Sequence, residues 1–389
     1  MELLRGLPAS FWPRPCKRMR DWKQRGKIPS SNTGAYNQSR QTLPQLLVEQ
    51  SYDHMFEQMI PMTDPSCSGP GPRAFLLDGS TVRMPHTPEL CRHYPPGSNQ
   101  HGEGHFPILR VLVAHDLYTG LAMRPEFGPV HGPDAVSEQQ LLEAAITRLP
   151  GGSILLGDSN FGVFSVAYTG AQSNHPVLLR LTTARAQHLH GGPLRDGIDR
   201  PVQWKASRWD RSSHPDLPAG AGVQGRLIVR QVQPDNGAAP FLLCLFTTLP
   251  GCVEEALNLY GQRWNIETDL RTLKSTLQLD QLTCRTPEMV AKEITMGMAA
   301  YNLVRAVICQ ASKQSGISPR GYSFTKVRRI VEIFAPQIES APNPEAAKQV
   351  FDQMMQCIQQ AKLPRRQRKR SSYPRHVWKP RNSYPTRKN

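Results

Sequence analysis

An α/β fold with a β-rich insertion and flanking helical regions is what this sequence predicts, and three observations lead there. Apolar runs of strand length recur from Arg73 onward, and helical periodicity alternates with them from Ser137. A stretch rich in Gly, Pro and Arg, residues 183–240, then interrupts that alternation without offering a long helix. With 389 residues, 39% of them apolar and 20% charged, the chain can bury a sizeable core and form two or more domains.

Taken in order, "QTLPQLLVEQSYDHMFEQMI" has helical spacing, and "TDPSCSGPGPR" after it reads as a linker. Residues 1–72 are therefore expected to form a small helical N-terminal region. "RAFLLDGSTVRM", "ILRVLVAHDLYTG" and "LAMRPEFGP" read as three strands of an antiparallel meander, the last two joined at a Tyr-Thr-Gly turn. "SEQQLLEAAITRLP" carries a helix start signal and a Leu-Pro stop, "SILLGDSNFG" is a strand ending in a turn, "VFSVAYTGAQ" a short helix and "PVLLRLT" another strand. The predicted order is strand, strand, strand, helix, strand, helix, strand.

Within residues 183–240, "VQWKASRW" and "GRLIVRQV" alternate like strands, so a β-rich insertion is expected there. "FLLCLFTTL" returns to the core, and a helix opens at Val253. Three helical stretches follow, "EMVAKEITMGMAAYNLVRAVICQASK", "FTKVRRIVEIF" and "EAAKQVFDQMMQCIQQAK". The expected organisation is a core of residues 73–182 plus 241–312, the insertion at 183–240, C-terminal helices at 313–362 and a basic disordered tail at 363–389.

Lys and Arg outnumber Asp and Glu by 47 to 31, a formal charge of +16, which favours a polyanionic partner with nucleic acid as the first candidate. Ten Lys/Arg and no acid fall between Leu363 and Asn389, among prolines that oppose a helix. Against that background the N-terminal region reads either as a DNA-binding module or as a truncated one. Eight cysteines without any Cys-x-x-Cys pair fit reduced thiols. No apolar run approaches a membrane span and the N-terminus lacks a signal-peptide core, so a soluble, cytoplasmic protein is expected.

The helix from Val253 poses a problem. At roughly 100° per residue, Leu257, Tyr260, Trp264, Ile266, Leu270, Leu273 and Leu277 make an apolar arc, and Asn258, Gln262, Asn265, Asp269, Thr272 and Thr276 the opposite one. Tyr260, Arg263, Glu267 and Lys274 share a stripe roughly 60° wide inside the apolar arc. A surface ion pair between Arg263 and Glu267 is the plain explanation. A carboxylate on a buried face gains another meaning if partner acids converge on it, because acids that converge need a cation.

Two lone acids on strands answer that description: Asp78 in "AFLLDGST" and Asp158 in "ILLGDSNFG", each after an apolar run where an unpaired charge is costly. A satisfied turn Asp is the alternative for each. One Asp on the first strand, one after the fourth and a Glu on a later helix match a ribonuclease-H-like sheet, in which first and fourth strands are neighbours.

The chain resembles the DDE transposases of the bacterial insertion-sequence-4 family, whose Glu region reads Tyr-x2-Arg-x3-Glu-x6-Lys, as Tyr260, Arg263, Glu267 and Lys274 do. "LLDGS" is similar to the family's first Asp motif, and "LQLDQLTCRTPEMVAKEI" to the stretch after its Glu helix; the resemblance covers roughly residues 36–312. It implies a ribonuclease-H-like catalytic core in which Asp78, Asp158 and Glu267 are catalytic and bind two Mg²⁺ ions, with Mn²⁺ as a substitute. It further implies cleavage at transposon ends in double-stranded DNA, strand transfer to target DNA, a homodimer in the synaptic complex and residence at the bacterial nucleoid.

Under the same resemblance Tyr260, Arg263 and Lys274 contact DNA, the two cations orienting a terminal phosphate. A β insertion at this point suggests that Trp204 stacks on a distorted base, with core packing as its ordinary role. One departure stands out: the family's second Asp is usually followed by Arg-Gly-Phe, whereas Asp158 is followed by Ser159, Asn160, Phe161 and Gly162. Two further readings stay open, a catalytically degenerate DNA-binding relic and a nuclease on the same core. Cys91, His93, His101 and His105 offer zinc-type ligands between two strands, but their spacing matches no compact zinc motif.

Overall fold

The computed structural model describes residues 34–62, 72–100, 102–234, 239–266, 269, 272–273 and 282–363. The basic tail from residue 364 onward lies outside the described residues.

Helices α1 (Gly34–Thr42) and α2 (Gln45–Met62) come first. Tyr52, Met55, Phe56 and Met59 recur at helical spacing and are buried, and the Tyr52 hydroxyl donates to the Ala122 carbonyl at 2.8 Å. Helix α2 thus packs on the sheet that follows it.

The meander is β1 (Ala74–Arg83), β4 (Ile108–Asp116) and β5 (Glu126–Pro129). Between β1 and β4 the chain makes α3 (Pro88–His93) and a small hairpin of β2 (Ser98–Asn99) and β3 (Gly102–Glu103). Then come α4 (Glu138–Ile146), β6 (Ile154–Gly157), α5 (Phe164–Gln172) and β7 (Val177–Arg180). Helix α4 starts on a capping box of Ser137 and Gln140, which satisfies two backbone donors reciprocally.

Strand β4 is antiparallel to β1 and β5, whereas β1, β6 and β7 run parallel, in the order β5-β4-β1-β6-β7. That arrangement is the ribonuclease-H-like core. The chain continues through α6 (Thr183–His190), β8 (Ile198–Lys205), α7 (Arg208–Ser213), β9 (Gly222–Val232) and β10 (Phe241–Thr247). Strand β10 pairs antiparallel with β7, and β9 and β8 add beyond it, giving eight strands. The β-rich segment therefore extends the central sheet, so β7 is covered by a partner and is no sheet edge.

Helix α8 (Val253–Gly261) passes into a 3₁₀ turn at Gln262–Trp264. Helix α9 (Pro287–Ser315), a 3₁₀ turn at Pro319–Gly321, α10 (Phe324–Glu339) and α11 (Pro344–Gln359) close the described chain. Among the described residues no helix is long and apolar enough to cross a membrane.

Strand alternation sorts the core into two layers. Phe75, Leu77, Leu155 and Leu179 join the cluster that contains Leu141 and Leu142 of α4 and Phe164 and Val166 of α5. Ala74, Leu76, Ile154, Leu156 and Leu178 join the cluster that contains Val253, Ala256 and Tyr260 of α8 and Ile266. Helix α8 thus covers the sheet face to which the even-numbered side chains of β1 and β6 point.

Candidate active site

The parallel register pairs Ala74 with Ile154, Phe75 with Leu155 and Leu76 with Leu156. Two residues further on, Asp78 is still within β1 and its parity points it toward the face covered by α8, while Asp158 is the first residue after the end of the neighbouring parallel strand β6. Burial and the charge of Asp158, with a smaller contribution from Glu138, push the Asp78 carboxyl up to about 6, against the pull of the Gly79 N–H and Arg263. The Gly79 N–H donates to Asp78 Oδ1 at 2.8 Å, and the Asn160 N–H to Asp158 Oδ1 at 2.8 Å.

Tyr260 closes this corner from α8. It is buried, and burial raises its hydroxyl pKa while Arg263 and Arg180 lower it and Asp158 raises it. Tyr260, Arg263 and the two Asp residues thus lie within electrostatic reach of one another. Glu267 and Lys274 lie outside the described residues.

Two oxygen-donor acids that repel each other, with one half-protonated near pH 6, are the donor set of a hard divalent cation, and Mg²⁺ chemistry fits it. Among the described residues no group of three His, Cys, Asp or Glu side chains gathers for a metal ion.

The turn after Asp158 compensates for its unusual sequence. Its carbonyl accepts the N–H groups of Phe161 at 3.1 Å and Gly162 at 2.9 Å. Gln139 Nε2 donates to the Asn160 carbonyl at 2.6 Å, and the Asn160 amide donates to Glu138 Oε2. A Cβ on Gly162 would collide with the Arg180 carbonyl, which is why the turn can lie so close to β7. Arg185 of α6 donates to the Ser159 carbonyl at 3.1 Å, so a guanidinium does reach this turn, from a different helix.

Asp269 corrects the helical projection. Assigned to the polar arc, it is in fact fully buried: it accepts from Arg305 Nη2 at 2.6 Å and from Arg320 Nη1 at 2.6 and 2.8 Å. Thr272 of that arc is buried too. The projection assumed a continuous α-helix with one face left to solvent, whereas the backbone is 3₁₀ at Gln262–Trp264 and Arg305 and Arg320 cover Asp269 from a distant part of the chain. Leu273 and Ile266 remain buried as expected.

Trp204 is corrected as well. It is 7% exposed and meets Phe246 and Phe164 edge to face, with centroids 4.9 and 6.2 Å away, so no ring face is left for a base. Trp209 of α7, 71% exposed, is the accessible indole of this segment. In the loop before β4, His86 stacks on His105 at 4.5 Å and Cys91 Sγ approaches His86 Nδ1 at 3.5 Å; His101 lies outside the described residues.

Fold and acid pair together describe a polynucleotidyl-transferase type of core, and the sequence comparisons agree. The transposase DDE domain profile matches residues 69–303, more than half of the chain, and the chain belongs to this family. It is 28% identical to the transposase InsG of insertion sequence element IS4 from Escherichia coli over 328 residues, 80% of this chain and 68% of that protein. Among solved structures, a piggyBac transposase synaptic complex with hairpin DNA aligns at a TM-score of 0.40 and 11% identity, over 74% of this chain and 58% of that one.

Proposed function

We propose that the chain is a metal-dependent DNA transposase that cleaves insertion-sequence ends and transfers the freed strands to target DNA through Asp78, Asp158 and Glu267. The observation that carries this reading is the approach of Asp78 on β1 and Asp158 at the end of the parallel neighbour β6, with the Asp78 carboxyl pushed up to about 6 by burial and by Asp158. Two Mg²⁺ ions held by the three acids would supply activation of the attacking oxygen and stabilisation of the leaving one.

The chain's own residues do the rest. The Gly79 and Asn160 N–H groups fix one oxygen of each Asp and leave the other free for a ligand. Arg263, beside Asp78 and Tyr260, orients a phosphate near the acids, and Lys274 adds charge from further along the same segment. Trp209, exposed between Arg208 and Arg211, is placed to meet a base outside the core. A homodimer would hold the two ends together.

The test is a Mg²⁺-dependent cleavage and strand-transfer assay on the DNA ends flanking the native gene, with Glu267→Gln as the control. Joined products that vanish in the variant, while end binding persists, support the reading. End binding without cleavage in either protein identifies a DNA-binding relic, and cleavage without joining identifies a nuclease.

A further inference from the structure

We propose that Asp269 is a positioning residue for the third carboxylate: its buried ion pairs with Arg305 and Arg320 anchor the segment that carries Glu267 to the strand layer that carries Asp78. This rests on the reading of Glu267 as the third acid.

A fully buried carboxylate is costly unless it is paired and hydrogen-bonded, and Asp269 receives three guanidinium hydrogen bonds of 2.6–2.8 Å. Both arginines are themselves fixed. Arg320 also donates to the Asp116 carbonyl at 3.1 Å and to the Leu117 carbonyl at 2.9 Å, at the end of β4. Arg305 Nε donates to the Tyr301 hydroxyl at 2.9 Å, which donates in turn to the Gly120 carbonyl at 2.8 Å. Asp116 is held by Arg73 at 3.0 Å and by the Thr119 N–H and hydroxyl, both at 2.7 Å.

This network reaches Asp78 by a rigid route. Strand β4 pairs with β1 from Phe75–Asp116 to Arg83–Ile108, with Asp78 opposite Val113. On the other side Glu267 is two residues from Asp269, so their Cα atoms are at most roughly 7 Å apart. The backbone leaves α geometry at Gln262–Trp264, before Glu267, and Asp269 is tied to the strand layer just after it. Buried ion pairs add little net stability against apolar packing, but removing one partner leaves an uncompensated buried charge, so Asp269 and its arginines hold their relative positions strongly. The position they hold is that of the third acid against the other two.

The experiment compares wild type, Asp269→Asn and Glu267→Gln for Mn²⁺ binding to the DNA-free full-length protein by electron paramagnetic resonance, for cleavage against Mn²⁺ concentration, and for folding by circular dichroism. The expected result is a folded Asp269→Asn protein whose Mn²⁺ half-saturation rises about tenfold or more, in the range seen when a group supporting a metal ligand is lost. Its cleavage should recover at high Mn²⁺, whereas that of Glu267→Gln should not. Wild-type Mn²⁺ affinity and wild-type metal dependence in folded Asp269→Asn would overturn the proposal. If Asp269→Asn does not fold, Arg320→Gln, which leaves Arg305 on Asp269, carries the same test with the same two outcomes. A wild type that binds no Mn²⁺, or a Glu267→Gln protein indistinguishable from it, would instead sink the three-acid reading.

Discussion

Asp78 on β1 and Asp158, the first residue after the parallel neighbour β6, lie within electrostatic reach of each other, each with one carboxylate oxygen held by a backbone N–H at 2.8 Å. Burial first, and then the like charge of Asp158, push the Asp78 carboxyl from 3.8 up to about 6. A folded-state pKa above the unfolded one means the folded chain binds the proton more tightly. Stability then falls as pH rises from about 3.8 to about 6, and the cost is fully present above that. Discounted for partial exposure, it is about 1–2 kcal/mol. Asp78→Asn should be more stable than wild type at pH 7.5 by that amount while losing cleavage, as calorimetry and the cleavage assay would read; a less stable variant would contradict the geometry.

Gly79 and Glu138 give a second test. A Cβ on Gly79 would strike the Glu138 carboxyl, which also pairs with Arg110 at 3.4 Å and accepts from Asn160. Gly79→Ala should cost about 1–3 kcal/mol through this overpacking. In Gly79→Ala/Glu138→Ala most of that cost should disappear, because the obstacle is gone. Additive costs in the double-mutant cycle would show that the clash is not what constrains Gly79.

The two indoles of the β-rich segment should separate cleanly. Trp204→Ala removes a buried ring packed on Phe246 and Phe164 and should cost about 3–5 kcal/mol. Trp209→Ala, at an exposed position, should leave the melting temperature within about 1 °C and weaken end-DNA binding, with stacking worth about 1–3 kcal/mol. Unchanged DNA affinity in Trp209→Ala would remove that indole from the DNA interface.

How much of this was legible in the sequence follows from what each signal depends on. The order β1, β4, β5, α4, β6, α5, β7 was readable because apolar runs, the Ser137 start signal and the Tyr-Thr-Gly turn are local signals, whereas α3 and the short β2–β3 hairpin between β1 and β4 carry no such run and were not read. Asp78 and Asp158 were readable for the same reason, as charges ending apolar runs. Asp269 was not: its burial depends on Arg305 and Arg320, 36 and 51 residues away. Nor was the docking of β10 onto β7 and of β9 onto β10, since strand pairing across the sheet leaves no local mark. The signal that could have pointed to Asp269 is Arg305 in the apolar helical run "YNLVRAVIC", a buried position that requires an acid.

The basic tail offers a test independent of the site. Removing residues 363–389 deletes ten Lys/Arg. If these meet phosphates, non-specific DNA affinity should fall and the slope of log affinity against log salt should flatten, by roughly 0.9 for each phosphate no longer neutralised. A slope equal to wild type would remove the tail from the DNA interface.

His115 supplies the opposite pH dependence to Asp78. It is fully buried, with Nδ1 3.4 Å from the Gly120 carbonyl and 3.9 Å from Asp269, and Nε2 is without a partner. Burial outweighs the attraction of Asp269, Arg320 and Arg305 oppose a further positive charge, and the imidazole is held down at about 4 from 6.5. A lowered histidine pKa means the unfolded chain takes the proton first. Stability is then intact above about 6.5 and falls as pH drops toward 4, by up to about 3 kcal/mol. Asp269, whose carboxyl is held below 3.8 by Arg320 and Arg305 against its burial, loses its contribution only at lower pH and stays outside this window. Wild type should therefore show a shallow dependence between pH 4 and 6, where His115 and Asp78 oppose each other. His115→Gln should expose the Asp78 slope, with stability rising toward acid, and Asp78→Asn should expose the His115 slope, with stability falling toward acid. Parallel pH profiles of unfolding free energy for the three proteins would refute both assignments.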